Sequence, residues 1–201
     1  MRLNEARRDL YRRLAREQGY KSRAAFKLIE ANERYDFVSP GAKVVDFGAA
    51  PGGWTQVASE LVGPQGFVVG VDRAPIRVKL PNVAALKMDV EDPGVPAKVL
   101  DLLKGRADVV LSDIAPTVTG VWELDQTRQV DLTLKVLDIC GAVLKEGGSA
   151  FFKLFEGERS QDVRDRFRAT FASVRVIKPA ASRNASSELY YHCQGPKQRA
   201  P

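Results

Sequence analysis

The spacing of apolar residues divides the chain into short β-branched runs and longer segments with a helical period. A short apolar run bounded by turn residues indicates a buried strand, whereas apolar residues three and four positions apart indicate an amphipathic helix. By these patterns we predict strands at 43–47, 66–71, 83–87, 107–112 and 149–155. We predict helices at 3–18, 22–33, 53–62, 95–104, 124–145 and 158–169, with Ser22 as a candidate cap of the second. The alternation from residue 43 onward predicts an α/β fold, a mostly parallel sheet with helices on both faces.

Two more apolar runs, at 174–177 and 189–193, follow without a helical segment between them. We expect them to form an antiparallel hairpin at one edge of the sheet, which would then have seven strands. The segment from Pro179 to Ser187 would be the hairpin loop. Because a length of 201 residues suits one domain, we expect residues 1–201 to form a single domain that begins with a helical segment at 1–33.

The stretch from Asp46 to Trp54 turns a predicted strand into a glycine-rich bend and then a helix. Gly48, Gly52 and Gly53 allow positive φ angles and a close approach of the backbone to a ligand. Their spacing differs from the G-x-G-x-x-G fingerprint of dinucleotide sites, which makes a nicotinamide cofactor less favoured. Two interpretations remain at this stage: a site for a nucleotide-like ligand without phosphates, or only a tight strand-to-helix turn.

Three acidic residues follow predicted strands. Asp72 ends the second strand, Asp89 follows the third and Asp113 ends the fourth. In open α/β sheets, ligands bind beyond the carboxyl ends of the strands, and a carboxylate about 20 residues after the glycine turn can accept hydrogen bonds from both ribose hydroxyls. Together with the turn, these residues favour a ligand site.

Lys153 lies inside the apolar run from Ala150 to Phe155. Desolvation disfavours the charged form of a buried lysine and lowers its pKa, which general-base chemistry at neutral pH requires. Lys153 is therefore a candidate base, unless it only projects from a sheet edge.

The formal net charge of +6 is concentrated near the N-terminus. Residues 1–27 contain nine basic and three acidic residues, whereas the rest of the chain contains 22 of each. Basic patches supply the phosphate contacts that dominate affinity for nucleic acids. A solvated helix face or a membrane surface would also fit, but the apolar stripe of Ala6, Leu10 and Leu14 is narrow for membrane insertion. We therefore favour a nucleic-acid partner.

Several classes of protein are disfavoured by what the sequence contains. Cys140 and Cys193 do not make a disulfide framework, and we expect them to be buried reduced thiols. His192, the single histidine, leaves no cluster with metal-ligand spacing, so we expect no metal. Without an apolar run that could span a bilayer or serve as a signal peptide, the chain is expected to be cytoplasmic and not bound to a membrane.

Five ordered stretches together resemble the FtsJ/RrmJ group of S-adenosylmethionine-dependent ribose 2′-O-methyltransferases over nearly the full length. They are Ser22–Leu28, Asp46–Trp54, Ser112–Pro116, Gly147–Lys153 and Lys178–Glu188. The resemblance implies a Rossmann-like methyltransferase fold with S-adenosylmethionine as cofactor.

The resemblance also implies a catalytic tetrad, which falls on Lys27, Asp113, Lys153 and Glu188. Lys153 would take the proton of a ribose 2′-hydroxyl as the oxygen attacks the sulfonium methyl. Lys27 would favour the neutral form of Lys153 by like-charge proximity and would orient the ribose. Asp113 and Glu188 would hold the two ammonium groups in place, and no metal would be needed.

For the cofactor, the resemblance implies that the glycine turn admits the methionine portion, Asp72 binds the ribose and Asp89 binds the adenine amino group. Val90 would back the ring, and Asp46 would fix the turn. Trp54 would either line this site or only pack the helix against the sheet. The whole predicted cofactor site comprises Gly48, Ala49, Pro51, Gly52, Gly53, Trp54, Asp72, Asp89, Val90 and Asp113.

The substrate implied by the resemblance is RNA, most specifically a uridine in the A-loop of large-subunit ribosomal RNA within the ribosomal subunit. The residues expected to contact RNA are Arg7, Arg8, Arg12, Arg13, Arg16, Lys21, Arg23 and Arg183. No obligate protein partner is expected. A tRNA anticodon-loop methyltransferase and a non-catalytic RNA-binding ribosome-assembly factor are the alternatives, and a nucleotide-binding oxidoreductase is disfavoured by the glycine spacing.

Overall fold

The computed structural model describes residues 3–182 and 187–197; of residues 3–9 it describes the backbone alone. These described residues contain six helices and seven strands, joined by loops. The strands are β1 (Lys43–Phe47), β2 (Phe67–Asp72), β3 (Val83–Lys87), β4 (Ala107–Ser112), β5 (Leu144–Phe155), β6 (Phe171–Ile177) and β7 (Glu188–Pro196). The helices are α1 (Leu3–Glu17), α2 (Ala25–Tyr35), α3 (Gly53–Val62), α4 (Val95–Leu103), α5 (Trp122–Val143) and α6 (Ser160–Thr170). Every element that the sequence predicts is present.

The strands form one mixed sheet in the order β3-β2-β1-β4-β5-β7-β6. The strands from β3 to β5 are parallel to one another, whereas β7 pairs antiparallel with both β5 and β6. This confirms the mostly parallel seven-stranded sheet with an antiparallel C-terminal hairpin at one edge. Strand order reverses between β1 and β4, so the crevice beyond their carboxyl ends is the expected place for a ligand.

Helices cover both faces of the sheet. On one face, α4, α5 and α6 contribute buried apolar residues such as Val99, Val136 and Phe167. On the other face, α2 and α3 contribute Leu28 and Val57. The central strands are thus buried on both sides, which explains why they are continuous apolar runs rather than alternating ones.

The boundary between α5 and β5 differs from the prediction. The helix ends at Val143 rather than near Lys145, and the strand begins at Leu144, which is buried and pairs with Ala107. The register with β4 then shifts before Ser149. The intervening glycine-containing segment therefore forms an exposed irregularity at the start of β5, instead of marking the end of a helix.

The start of α2 also differs from the prediction. The helix begins at Ala25, and its capping position at Ala24 has no side-chain hydrogen bond, so the expected cap by Ser22 is wrong. The Ser22 side chain instead lies against Gly53, where a β-carbon would collide with it. The segment before α2 thus packs directly on the first turn of α3.

The structure shows where the two cysteines and the single histidine lie and whether a described helix could span a membrane. Cys140 and Cys193 are buried thiols outside any disulfide, as predicted. His192 is a buried side chain of β7 that stacks on Tyr35, with ring centroids 5.1 Å apart. Among the described helices, none is both long and apolar enough to cross a membrane.

A buried carboxyl group joins β1 to α3. Asp46 has no exposed surface, and its Oδ2 accepts a hydrogen bond of 2.7 Å from the Thr55 hydroxyl. Burial raises the pKa of Asp46 to about 8; the nearby charges of Asp113 and Asp72 add to the rise, and the Thr55 hydrogen bond opposes it. Asp46 therefore fixes the glycine turn as a largely protonated acid at neutral pH.

We predict that Asp46→Asn weakens the pH dependence of stability. Between the unfolded pKa of about 4 and the folded value of about 8, the folded state binds more protons, so wild-type stability falls as pH rises. The variant lacks this contribution, and its slope should differ by up to about 1.4 kcal/mol per pH unit in that window. Chemical denaturation across the window measures the difference; parallel curves for the two proteins would contradict the prediction.

Candidate active site

Residues from four strand ends meet at one edge of the sheet, as the acidic pattern in the sequence predicts. Gly48 follows β1, Asp72 ends β2, Asp89 follows β3 and Asp113 follows β4. All four line a cavity of about 180 Å³. Because β1 and β4 flank the reversal of strand order, this cavity occupies the crevice in which open α/β sheets bind their ligands.

The cavity combines apolar walls with acceptor oxygens. Its apolar lining comes from Val71, Met88, Val90, Ile114 and Leu132. Asp72 and Asp89, whose carboxylates are hydrogen-bond acceptors, also line it, from neighbouring strand ends. This combination suits a ligand with a flat ring and with hydroxyl or amino groups that donate hydrogen bonds.

Asp72 holds the glycine turn and still has acceptor capacity. Its Oδ2 accepts a hydrogen bond of 2.9 Å from the Ala50 backbone, and its Oδ1 accepts one of 2.8 Å from Ala74. Each carboxylate oxygen can accept two hydrogen bonds, so both oxygens can also receive a hydroxyl of a ligand. Asp89 is similar: its Oδ1 accepts a hydrogen bond of 3.0 Å from the Glu91 amide, and its Oδ2 accepts one of 3.5 Å from the Arg73 guanidinium.

The turn after β1 requires glycine because its backbone has positive φ angles and packs closely against neighbouring residues. Gly48 has φ +74°, and a β-carbon there would lie 2.6 Å from the Ile114 Cα. Gly52, which immediately precedes α3, has φ +121°. Of the turn residues in the predicted cofactor site, Gly48 borders the cavity, whereas Ala49, Pro51, Gly52 and Gly53 are not part of its lining.

The surroundings of Trp54 decide whether it lines the cofactor site or packs the helix against the sheet. Its indole is 3% exposed and stacks on Phe151, with ring centroids 5.4 Å apart. Its Nε1 donates a hydrogen bond of 2.8 Å to the Ala24 carbonyl. Trp54 therefore packs α3 against the sheet and the segment before α2, and it is absent from the cavity lining.

The four residues of the predicted tetrad form two ion pairs. Lys27 Nζ lies 2.7 Å from Glu188 Oε2, and Lys153 Nζ lies 3.1 Å from Asp113 Oδ1 and 2.6 Å from the Asp113 carbonyl. Each lysine is only 5% exposed. Since β5 lies between β4 and β7, the alternative in which Lys153 projects from a sheet edge is wrong.

Tyr190 joins the two pairs, and sequence reasoning missed it. Its hydroxyl accepts a hydrogen bond of 2.7 Å from Lys27 Nζ and donates one of 3.5 Å to Asp113 Oδ1. The signal was its position two residues after Glu188, because alternate residues of a strand lie on the same face. Tyr190 therefore belongs to the same polar cluster.

The burial and the charges of the cluster fix the protonation states of Glu188 and Tyr190. Burial by itself would raise the pKa of Glu188, but the charge and hydrogen bond of Lys27, together with the charges of Lys153 and Arg23, bring the pKa below its usual value. Burial, with the charges of Asp113 and Glu188, raises the pKa of Tyr190 well above its usual value. Glu188 is thus ionised and Tyr190 is a neutral phenol at neutral pH.

Gln129 of α5 fixes the backbone of β5 at Lys153 and Phe155. Its side chain is fully buried; Nε2 donates a hydrogen bond of 3.0 Å to the Lys153 carbonyl, and Oε1 accepts one of 3.1 Å from the Phe155 amide. These two bonds hold the end of β5, which carries Lys153, in one position.

The basic N-terminal segment is attached next to this site. The aromatic rings of Tyr11 and Phe26 lie 5.4 Å apart, which packs α1 on α2, and the Tyr20 hydroxyl donates a hydrogen bond of 2.8 Å to Glu60 of α3. Of the predicted RNA-contacting residues, Arg12, Arg13, Arg16 and Lys21 are exposed and Arg23 is half-buried. Arg7 and Arg8 lie in the first part of α1, up to residue 9, where only the backbone is described. Arg183 lies outside the described residues.

Comparison with known proteins identifies the relatives of this chain. A family model for the FtsJ-like methyltransferase matches residues 20–196. A Nitrosopumilus maritimus protein named ribosomal RNA large subunit methyltransferase E is 44% identical over 195 residues, covering 97% of this chain and 98% of that protein. A Gluconobacter oxydans protein of the same name is 42% identical over 193 residues, covering 96% of this chain and 71% of that protein.

Solved structures agree with the fold. A Plasmodium falciparum protein assigned as a ribosomal RNA methyltransferase superposes with a TM-score of 0.79 at 26% identity, covering 90% of this chain and 100% of that one. A SAM-dependent O-methyltransferase from Thermotoga maritima gives a TM-score of 0.57 at 14% identity, covering 85% and 65%, and shows likeness of fold alone. The predicted Rossmann-like methyltransferase fold is thereby confirmed. Since the family model spans most of the sequence, the chain belongs to the FtsJ-like methyltransferase family.

Proposed function

We propose that this protein transfers a methyl group from S-adenosylmethionine to a ribose 2′-hydroxyl of RNA, specifically of a uridine in the A-loop of large-subunit ribosomal RNA. The observation that carries the proposal is the position of Asp113, a residue that lines the cavity and whose carboxylate pairs with Lys153. A methyl donor in the cavity and a base for the acceptor hydroxyl would therefore lie side by side. The names of the relatives support ribosomal RNA as the substrate.

The residues of the cavity fit the proposed cofactor. Asp72 has acceptor capacity for ribose hydroxyls, Asp89 for the adenine amino group, and Val90 offers an apolar surface to the ring. When bound, S-adenosylmethionine would supply a methyl group on a positively charged sulfur; the bond from the methyl carbon to sulfur would break as the 2′-oxygen bonds to that carbon, and S-adenosylhomocysteine would leave.

For this step Lys153 first releases its ammonium proton to solvent, and its neutral amine then accepts the proton that the 2′-hydroxyl loses. The carboxylate and the carbonyl of Asp113 both lie within hydrogen-bond distance of its Nζ, so they stabilise the ammonium charge as it develops. Lys27 is held by Glu188 and Tyr190 and presents a second positive charge beside the acceptor ribose. This fixed arrangement lets the proton transfer accompany methyl transfer without a rearrangement of the site.

The exposed arginines of α1 bind phosphates of the RNA, while the reaction itself requires an unstacked nucleotide at the tetrad. Residues 1–201 would act as one methyltransferase domain, with 1–33 as its RNA-binding segment. We place this activity in the cytoplasm, without an obligate protein partner.

The proposed substrate predicts which RNA becomes methylated. Unmethylated large-subunit particles and unmodified tRNA are incubated separately with the protein and labelled S-adenosylmethionine, and 2′-O-methyl positions are mapped by mass spectrometry. We expect one new methyl group in large-subunit ribosomal RNA, on an A-loop uridine. Modification of tRNA alone would favour the anticodon-loop activity, and binding of RNA without any transfer would favour the assembly factor.

A second prediction concerns Lys153. We expect Lys153→Ala to lower kcat by about 100-fold or more, the usual contribution of a positioned general base, while affinity for S-adenosylmethionine in calorimetry changes little. Lys145→Ala is the matched control, because Lys145 lies at the opposite end of the same strand. Near-normal turnover of Lys153→Ala would remove Lys153 from its proposed role.

A third prediction concerns the basic segment. The double variant Arg12→Glu/Arg16→Glu should bind RNA more weakly and show a smaller dependence of affinity on salt, since fewer counterions are released from the phosphates. Its affinity for S-adenosylmethionine should stay the same. The control Lys98→Glu/Arg168→Glu makes an equal change of charge on α4 and α6. Equal losses of RNA affinity in both double variants would show a general effect of net charge instead of a specific contact surface.

A further inference from the structure

An exposed tryptophan packs on a half-buried phenylalanine where α5 begins and β5 ends. Trp122 is 46% exposed, and its ring packs on Phe155 with centroids 5.8 Å apart and planes tilted by 32°. Val118 and Val121, which precede Trp122, are 74% and 54% exposed. We call Trp122 and Phe155 the aromatic platform. Exposed apolar surface gathered in one place is typical of an interaction site.

The platform is continuous with the catalytic cluster. Phe155 lies two residues beyond Lys153 on the same strand, so both side chains are on one face of β5. Lys153 Nζ lies 5.6 Å from the centroid of the Phe155 ring. One ring, that of Phe155, therefore connects Trp122 to the proposed base.

The platform is also held rigidly from both sides. Asp125 accepts hydrogen bonds from the Thr119 amide, the Thr119 hydroxyl and the Gly120 amide at 2.7–3.2 Å, which fix the loop before Trp122. Gln129 accepts a hydrogen bond from the Phe155 amide. A large exposed ring on a rigid support loses little conformational freedom when a partner binds, and so retains more of its contact energy.

The cluster has a cation and an aromatic surface close to it. The positive charge of Arg23 acts on Glu188 and Tyr190. Lys153 borders the ring of Phe155, on which Trp122 packs. A nucleic-acid strand bound at the cluster would therefore meet a cation for its phosphates and a flat apolar surface for a base.

We propose that the aromatic platform stacks an unstacked RNA base, that of the target nucleotide or of an immediate neighbour. The inference rests on the proposed function and deepens it, because it names a surface that positions the substrate. Sequence-specific RNA binding commonly uses such stacking, and bases in single strands stack on aromatic side chains whatever their identity. Trp122 acts as a positioning residue, since the proton transfer is assigned to Lys153.

The test compares Trp122→Ala, Trp122→Phe and the control Val176→Ala, whose parent residue is 51% exposed on β6. Trp122→Ala should lower kcat/KM for RNA roughly tenfold, mainly through KM, as expected for loss of one stacking contact. Trp122→Phe should recover most of that loss, and Val176→Ala should match the wild type. Calorimetry with S-adenosylmethionine and thermal unfolding should give the same values for all four proteins, which separates stacking from misfolding.

An abasic substrate makes the assignment specific. Substrate RNAs lacking the base at the target or at either neighbour are assayed with wild type and Trp122→Ala. At one of the three positions, removal of the base should abolish the difference between the two proteins. A difference that persists at all three positions, or a Trp122→Ala enzyme with wild-type kinetics, would overturn the inference while leaving the proposed function intact.

Binding data keep the two proposals distinguishable. Titration with single-stranded RNA should quench tryptophan fluorescence in the wild type and much less in Trp122→Phe, where Trp54 remains as the buried background. If the wild type methylates no RNA, the proposed function fails, and stacking is judged by this quenching alone. If Trp122→Ala changes the oligomeric mass and leaves RNA binding unaffected, the platform binds protein and the inference is wrong.

Discussion

The structure depends on the requirement that two buried lysines have carboxylate partners. An unpaired ammonium group in the protein interior costs several kcal/mol, and breaking a buried pair leaves that cost uncompensated. Lys27 reaches Glu188 and Lys153 reaches Asp113, with the Tyr190 hydroxyl between the pairs. Helix α2, the centre of the sheet and the C-terminal hairpin are therefore tied together at one point, the candidate active site.

This constraint also gives a reason for the antiparallel end of the sheet. In a parallel sheet, all strands present their carboxyl ends at the ligand edge, and residues of strand beginnings lie at the far edge. Because β7 runs against β5, its first residues reach the ligand edge instead, where Glu188 pairs in register with Phe155 and Tyr190 with Lys153. Reversal of one strand thus places an acid and a phenol from the end of the chain beside residues from its middle.

The parts of this arrangement differ in how far the sequence predicts them. Strand-end residues such as Asp72 and Asp89 follow from local periodicity and from the rule that parallel strands share one ligand edge. The pairing of Lys27 with Glu188 spans 161 residues, so no local pattern predicts it, and it came from family resemblance. Local periodicity places the start of α2 too early, because Ser22 packs against Gly53 in a tertiary contact. The strand period puts Tyr190 on the same face as Glu188, but its hydrogen bond with Lys27 depends on a contact that forms only on folding.

Asp113 is the residue through which the cavity and the lysines act together. Its amide donates a hydrogen bond of 3.2 Å to the Phe47 carbonyl, so its backbone is held by the central strand β1. Asp113 lines the cavity, and its carbonyl and carboxylate both hold Lys153. A group that occupied the cavity and displaced Asp113 would therefore also displace Lys153. In the proposed reaction, which needs oxygen, methyl and sulfur in line, one residue would thus set the positions of both the methyl donor and the proton acceptor.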